Sequence, residues 1–380
     1  MRIALVSPYD FAYPGGVNNH VTHLSRNFDR MGHDVTILAP SSKTAEQLDV
    51  PELEVVGKRP VPVPSGGSSA RITLSPLLSG HIKRILGEKQ FDVVHLHEPL
   101  LPALPLTVLR HSTATNIGTF HAYHESSLAY HYSRRILMRY FRRLHGKIAV
   151  SPPAMEFNRQ YFPGYYNIIP NGVDLEHFSP AQPPLAEYMD GKLNILFVGR
   201  PEKRKGLQHL LGAFRRVRAK LPETRLMVVG PKGRSSWEYE ALVDSYDLKD
   251  VVFIRGVSYS VLPRYYTTAH VFCAPNTGQE SQGVILLEAL ASGRPIVASN
   301  IPGFAYVMAH GEEGLMAPPG DEDALAEALV ILLQDEGLRQ RMGARGWLRA
   351  QDFSWQKVSR RILDYYSRLL QERSRAETRL

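Results

Sequence analysis

A single cysteine, Cys273, stands among 380 residues. It can close no internal disulfide, and within the apolar run Val271–Ala274 it reads as a buried structural thiol. No apolar run approaches the ~20 residues needed to span a bilayer. The chain enters a strand at once, Arg2-Ile3-Ala4-Leu5-Val6, with no charged, apolar and cleavable leader. A cytoplasmic protein is the expectation, with any membrane contact peripheral, on the inner face of the cell membrane. Neither a G-x-G-x-x-G fingerprint nor a G-x-x-x-x-G-K-[ST] loop is present, so dinucleotide and P-loop readings lack support. No H-E-x-x-H run or zinc-type cysteine spacing occurs, and no metal site is expected. Zinc-finger, RNA-binding aromatic and helix-turn-helix patterns are also missing, which argues against a nucleic-acid partner.

What is present is a surplus of positive charge, 45 Lys and Arg against 37 Asp and Glu. That balance suits an acidic partner, whether nucleic acid, anionic lipid or a phosphorylated substrate. The length is sufficient for two domains. Short apolar strands alternate with helical patterns, first over Ile3–Ser7, Asp34–Ala39, Val93–His97, Asn116–His121 and Lys147–Ser151. A helix is expected from about Val17 to Met31. A second set runs over Leu193–Gly199, Arg225–Gly230, Val251–Gly256, Val271–Ala274 and Ile296–Ala298. This is an α/β pattern of βαβ units, predicting two doubly wound parallel sheets. The domains are expected at 1–170 and 171–356, with a helix over about 357–380 that can pack back on the first. Pro60–Ser69, rich in Pro, Gly and Ser, reads as an exposed loop after an edge strand. Ligands of such sheets bind beyond the carboxyl ends of strands, so two facing sheets would place one in an interdomain cleft.

The stretch Asn276–Ser299 carries the densest chemistry. It reads as a polar loop after an apolar strand, then a helix, a Gly stop and another strand. Gly278 and Gly283 bare backbone amides where the helix begins, a place that attracts anions. Glu280 and Glu288 frame that turn. Acids beside an anion site make sense if they hold sugar hydroxyls; alternatively they are an ordinary first-turn acid and a solvated helix residue. Pro14-Gly15-Gly16-Val17 follows the first strand, where glycines admit a ligand close to the backbone or serve conformation alone. Gly199-Arg200-Pro201-Glu202-Lys203-Arg204-Lys205-Gly206 closes another strand with four cations, suited to a diphosphate, or it is a solvated basic loop. In Thr119-Phe120-His121-Ala122-Tyr123-His124-Glu125, His121 is distinguished by its place at a strand's carboxyl end. The segment 131–147 is strongly basic around an apolar stripe of Leu137, Tyr140, Phe141 and Leu144. It is either an interfacial helix on anionic lipid or a domain-surface helix. A short basic run, His81–Leu86, extends it.

Together these motifs resemble the retaining glycosyltransferases of family 4, over nearly the whole length. The resemblance rests on the Gly-Gly turn, Gly199-Arg200 with Lys205-Gly206, the pair Glu280 and Glu288, and Ala291-Ser292-Gly293-Arg294-Pro295-Ile296-Val297-Ala298. Ser7-Pro8-Tyr9, His20-Val21, His97-Glu98-Pro99 and Phe120-His121 are most similar to bacterial phosphatidylinositol mannosyltransferases. The resemblance implies a GT-B fold, two facing Rossmann-like domains with the donor between them. It implies that Arg200 and Lys205 hold the donor diphosphate and stabilise the departing nucleotide, while Gly15 and Gly16 face the distal phosphate. Glu280 would hold the sugar hydroxyls, assisted by Gln282, Gly283, Val284 and Ile285, and Glu288 the ribose. The base pocket would lie near Gly230 and Val257. His121 would meet the sugar near its reacting carbon, and Tyr9, Asn18 and His121 the acceptor. The implied reaction moves a hexose, foremost mannose from GDP-mannose, to a lipid-linked or inositol-type acceptor. A UDP-sugar-dependent glucosyl- or N-acetylglucosaminyltransferase, a sugar-nucleotide epimerase and a non-catalytic nucleotide-sugar or lipid-surface binding protein are the alternatives. No tightly bound cofactor is implied, although Mg2+ is compatible with the donor diphosphate. Gln282 replaces a common Phe, the Arg200–Lys205 loop is one residue shorter than in those mannosyltransferases, and Tyr13 replaces an acid. These departures bear on donor sugar and acceptor.

Overall fold

The computed structural model describes residues 1–13, 15–57, 60–65, 68–73, 78–124, 126–231, 233 and 236–378. The expected positions Pro14 and Glu125 lie outside them. The chain divides into two compact units, one of Met1–Asn171 with Trp355–Leu380, the other of Gly172–Ser354. Among the described residues each unit is built on one wholly parallel sheet, and the strands are the near-continuous apolar runs that burial on both faces demands. Arg2–Val6 is buried from Ile3 onward, and Thr115–Phe120 and Thr224–Val229 are buried throughout.

The first sheet runs Leu53–Val55, Asp34–Ala39, Arg2–Val6, Val93–His97, Thr115–Phe120, Gly146–Ala149, Asn167–Ile168. The second runs Val251–Ile254, Thr224–Val229, Leu193–Val198, Val271–Ala274, Ile296–Ser299, Gly314–Ala317. In both, chain order reverses beside the unit's opening strand, so connections leave to opposite sides and open a crevice at the carboxyl ends. That crevice lies between Arg2–Val6 and Val93–His97 in one unit, and between Leu193–Val198 and Val271–Ala274 in the other.

Helices cover the faces with apolar residues at helical spacing. Gly16–Arg30 buries Val21, Leu24 and Phe28, and Leu207–Lys220 buries Leu207, Leu210, Leu211, Phe214 and Val217. The last helix, Trp355–Glu377, sets Trp355, Val358, Ile362, Tyr366 and Leu369 into the core formed by Ile3, Leu5, Val21 and Phe28. The end of the chain thus completes the first unit. No helix among the described residues is long and apolar enough to cross a membrane.

The run expected as an exposed loop departs from expectation. Val61–Ser65 pairs antiparallel with Ser68–Ile72, Val61 opposite Ile72, as a two-stranded ribbon; residues 58–59 and 66–67 lie outside the described set. Pro62 and Pro64 stand two apart, so their donor-less nitrogens share one edge, and a ribbon of two strands leaves such an edge unpaired. In the basic helix Leu128–Phe141, Leu137, Phe141 and the following Leu144 are buried, with Tyr140 half-buried. Leu128, Tyr132 and Ile136 lie on another face, 72%, 81% and 64% exposed.

Candidate active site

In the second unit, two loops leave neighbouring strands at the crevice. Leu193–Val198 is followed by Gly199, Arg200 and a short turn, Lys203–Lys205, before Gly206 opens the next helix. Gly206 has φ +72, and a Cβ there would stand 1.8 Å from the carbonyl oxygen of Pro275. Only glycine permits both the left-handed turn and that approach. The loop after Val271–Ala274 is thereby pressed against the basic loop, and the Thr277 N–H donates to the Arg204 carbonyl at 2.9 Å.

The contact assembles charges distant in sequence. Lys205 Nζ donates to Glu280 Oε2 at 2.6 Å, Asn276 Nδ2 donates to the same oxygen at 3.0 Å, and Arg204 Nη1 lies 3.7 Å away. Burial pushes the Glu280 carboxyl up, but Lys205 and Arg204, with the Gly283 amide, outweigh it and hold the group below the usual carboxylate range. Arg200 Nε is 3.3 Å from Glu202, whose other oxygen takes Arg204 at 2.9 Å, and the Arg200 side chain remains 56% exposed. Gly283, at φ +77, caps the helix Val284–Ala291. One turn along, Glu288 accepts from the Tyr266 hydroxyl at 2.7 Å. Burial lifts its carboxyl to about 7, against the lowering effect of that hydrogen bond.

In the first unit the crevice is lined by histidines. His95 and His97 lie two apart on the strand Val93–His97 and are buried. Parallel register sets His97 opposite Thr119, two residues before His121. Glu98, buried and at φ +50, accepts from the backbone N–H groups of His121 at 2.7 Å and Ala122 at 2.8 Å. Its carboxyl is raised to about 7 by burial, those two bonds working against the shift. Asn18 accepts from the Ser7 hydroxyl at 2.7 Å and donates to the carbonyls of Asp10 and Tyr13 at 2.9 and 3.1 Å. Gly15 is the extended N-cap of Gly16–Arg30, whose first turn has no side-chain cap and no acid.

Comparison with known proteins assigns this arrangement. The model of Glycosyltransferase Family 4 matches residues 14–177, and that of Glycosyl transferases group 1 matches residues 186–348. The phosphatidyl-myo-inositol mannosyltransferase of Mycolicibacterium smegmatis is 35% identical over 367 residues, 96% of this chain and 93% of that protein. The protein of the same name from Propionibacterium freudenreichii is 33% identical, over 97% and 95%.

The chain belongs to glycosyltransferase family 4.

Its fold is GT-B. Sucrose-phosphate synthase from Thermosynechococcus elongatus superposes with a TM-score of 0.77 at 23% identity, over 98% of this chain and 99% of that one. Anabaena HepE, in complex with UDP and glucose, gives 0.76 at 16% identity over 97% and 99%.

In this glycosyltransferase the expected residues of the second unit fall in one neighbourhood: Arg200, Lys205, Glu280, Gly283 and Val284 at the loops and helix start, Glu288 one turn further. Val257 and Ile285 are half-buried against the same apolar core, and Gln282 is wholly buried. In the first unit Tyr9, Gly15, Gly16 and Asn18 follow the strand Arg2–Val6, Asn18 bonded to Ser7 and Tyr9 bridged to Ile72, and His121 directly follows Thr115–Phe120. Glu280 precedes its helix instead of sitting in the first turn, and Glu288 is tied to Tyr266, so neither is a solvated helix acid. Sequence reasoning assigned no role to Glu202, Asn276, Tyr266, Glu98, His20 or Asn171. The alternation His95-Leu96-His97 was an available signal, since two polar rings on one face of a buried strand need partners. Tyr266 carried none.

Proposed function

We propose that this glycosyltransferase moves mannose from GDP-mannose to an inositol-bearing lipid, with retention at the anomeric carbon. The observation that carries the reading is the 35% identity across 96% of the chain to a relative named for that sugar and that acceptor. The site chemistry agrees. Arg200 and Lys205 take the donor diphosphate, Lys205 exchanging its 2.6 Å contact with Glu280 for a phosphate oxygen. Glu280 stays ionised and accepts from hydroxyls of the sugar, with the backbone amides near Gly283 beside it. Glu288 has one oxygen on Tyr266 and turns the other to the ribose; Val257, Gln282 and Ile285 complete the nucleotide pocket. As the glycosidic bond breaks, charge grows on the leaving diphosphate, and preorganised cations stabilise it there. A donor phosphate oxygen takes the acceptor hydroxyl's proton, so no side-chain base is required. The uncapped start of Gly16–Arg30 offers amides to an anionic group, and His121, oriented through Glu98, meets the sugar. Tyr9 and Asn18 shape the acceptor side, Asn18 through its bonds within the loop.

The donor region does not fit a Mg2+ site. Its nearest carboxylates, Glu202 and Glu280, are engaged by Arg200, Arg204 and Lys205, a set that binds an anion rather than a hard cation.

A lipid acceptor requires the protein to meet a membrane, and Leu128–Lys147 supplies a face for it. The segment has five arginines and no acid, beside the exposed Leu128, Tyr132 and Ile136. Each basic residue near an anionic surface contributes about 1 kcal/mol, so Arg135→Gln with Arg139→Gln should weaken binding to anionic vesicles about 30-fold. Unchanged flotation would remove this surface from the account. Calorimetric titration with GDP and UDP tests the donor: GDP should bind more tightly, and tighter UDP binding would replace the mannosyl reading by a UDP-sugar one.

A further inference from the structure

The rings of His20, His97 and His121 form a triangle. Their centroids are 5.1 Å apart for His20 and His97, 4.9 Å for His20 and His121, and 5.2 Å for His97 and His121. Imidazoles binding one tetrahedral zinc ion at about 2.0 Å hold their centroids about 5 Å apart. One nitrogen from each ring lies within 4.8 Å of the others. His97 Nδ1 and His121 Nε2 stand at 3.0 Å, close to the about 3.3 Å between two nitrogens on such an ion.

Buried histidines are usually satisfied by hydrogen bonds, as His95 is: it uses Nε2 on Thr119 and Nδ1 on Tyr366, each at 2.6 Å. The trio differs. His20 Nε2 and His97 Nε2 are buried without a hydrogen-bond partner, and each such orphan costs about 1–3 kcal/mol. His20 Nδ1 lies 2.8 Å from Asn171 Oδ1. A carbonyl oxygen only accepts, so Nδ1 carries the proton and Nε2 the unused lone pair. The same amide hydrogen-bonds the His121 ring. A group that takes the N–H of one ring nitrogen and leaves the other free is the support that metal-ligating histidines have. Burial keeps these imidazoles neutral, His20 lowered to about 4 and the other two well below their ordinary value, the form a metal requires.

We propose that His20, His97 and His121 form a three-histidine site for a borderline transition ion of the Zn2+ type. The ion lies between His97 Nδ1 and His121 Nε2 and draws on the His20 lone pair. The proton now shared between His97 and His121 moves to His97 Nε2, so occupancy releases none from the pair. Since the ion takes His121, its binding excludes the sugar contact proposed for that ring and inhibits transfer. That consequence alone rests on the function proposed above.

The test reads the metal without donor or acceptor. Tag-free, chelator-treated full-length protein is titrated with Co2+, followed by its visible absorption, and then with Zn2+ in competition. One equivalent with four-coordinate bands is expected, displaced by Zn2+. His20→Gln should weaken binding at least about 100-fold, and Asn171→Ala about 10- to 100-fold, the usual effect of removing a ligand's support. His131→Ala, at an exposed ring outside the trio, should bind as wild type. Circular dichroism checks each fold, and the mild Asn171→Ala change carries the test if His20→Gln unfolds. Absence of bands, or bands of undiminished strength in folded His20→Gln or Asn171→Ala protein, overturns the site. Zn2+ inhibition of transfer should weaken in Asn171→Ala by the same factor as binding. If no transferase activity is found at all, the Co2+ result stands independently.

Discussion

Lys205→Met, made alone and together with Glu280→Gln, isolates the contact on which the donor site turns. Lys205 Nζ is 2.6 Å from Glu280 Oε2, with side chains 14% and 17% exposed. At an effective dielectric of about 20 the gross attraction is about 6 kcal/mol, and Arg204 at 3.7 Å adds about 4–5 kcal/mol. Most of this is returned in desolvation, but stranding one member of a buried pair still costs about 3–5 kcal/mol. Arg204 and Asn276 remain on Glu280, so Lys205→Met should destabilise the second unit by about 3 kcal/mol, the low end of that range. Glu280→Gln leaves a lysine able to reach water and should cost about 1 kcal/mol. The double variant should recover part of the loss, with a coupling of about 1–2 kcal/mol. The two units need not unfold together, so the measurement is hydrogen exchange in peptides spanning Leu207–Lys220 and Val284–Ala291. Transfer should be abolished in all three variants, because both residues act on the donor. Single effects that simply add, or full transfer in either folded single variant, would refute the reasoning.

Gly206→Ala forces a side chain into φ +72 and onto the Pro275 carbonyl. It should cost at least about 2 kcal/mol and part the two loops, read as a lowered unfolding midpoint of the second unit with reduced transfer; an unchanged midpoint would contradict it. Tyr266→Phe removes the bond that lowers the Glu288 carboxyl from an even higher value. The transition in donor affinity expected near pH 7 should move to higher pH, and a downward shift would separate Glu288 from the ribose. His270 accepts from the Asn194 N–H at 2.9 Å and is lowered to about 4 by burial, with Arg339 and Arg294 adding. The unfolded chain therefore takes up this proton more readily, so stability present above pH 6.5 falls as pH drops from 6.5 towards 4. Hydrogen exchange in peptides of the second unit, followed against pH, should show this decline, and His270→Gln should lessen it.

The sheets were legible because strands buried on both faces must be apolar runs; the expected bounds of Asp34–Ala39, Val93–His97 and Val271–Ala274 coincide with the strands, and the others differ by a residue or two. Asn167–Ile168 and Gly314–Ala317 passed unseen, being edge strands of two to four residues with no periodic signal. The ribbon at 61–72 was hidden by its prolines, which punctuate loops unless they face an open edge. In the site, Glu280 and Lys205 were individually visible, but their pairing spans 75 residues and depends on Gly206 meeting Pro275. Long-range contacts of this kind leave no trace in local pattern. For the same reason His121 stood out as a strand-end residue, while His20 comes from a helix and His97 from a neighbouring strand. Their convergence is a product of parallel register.

The most direct measurement incubates the purified protein with GDP-mannose and phosphatidylinositol-containing vesicles, then examines the lipid by mass spectrometry and the linkage by NMR. The account predicts one added hexose on the inositol headgroup with the donor's α configuration retained, and no product from Glu280→Ala protein. Product from UDP-glucose but not from GDP-mannose, or transfer with inverted configuration, would contradict it.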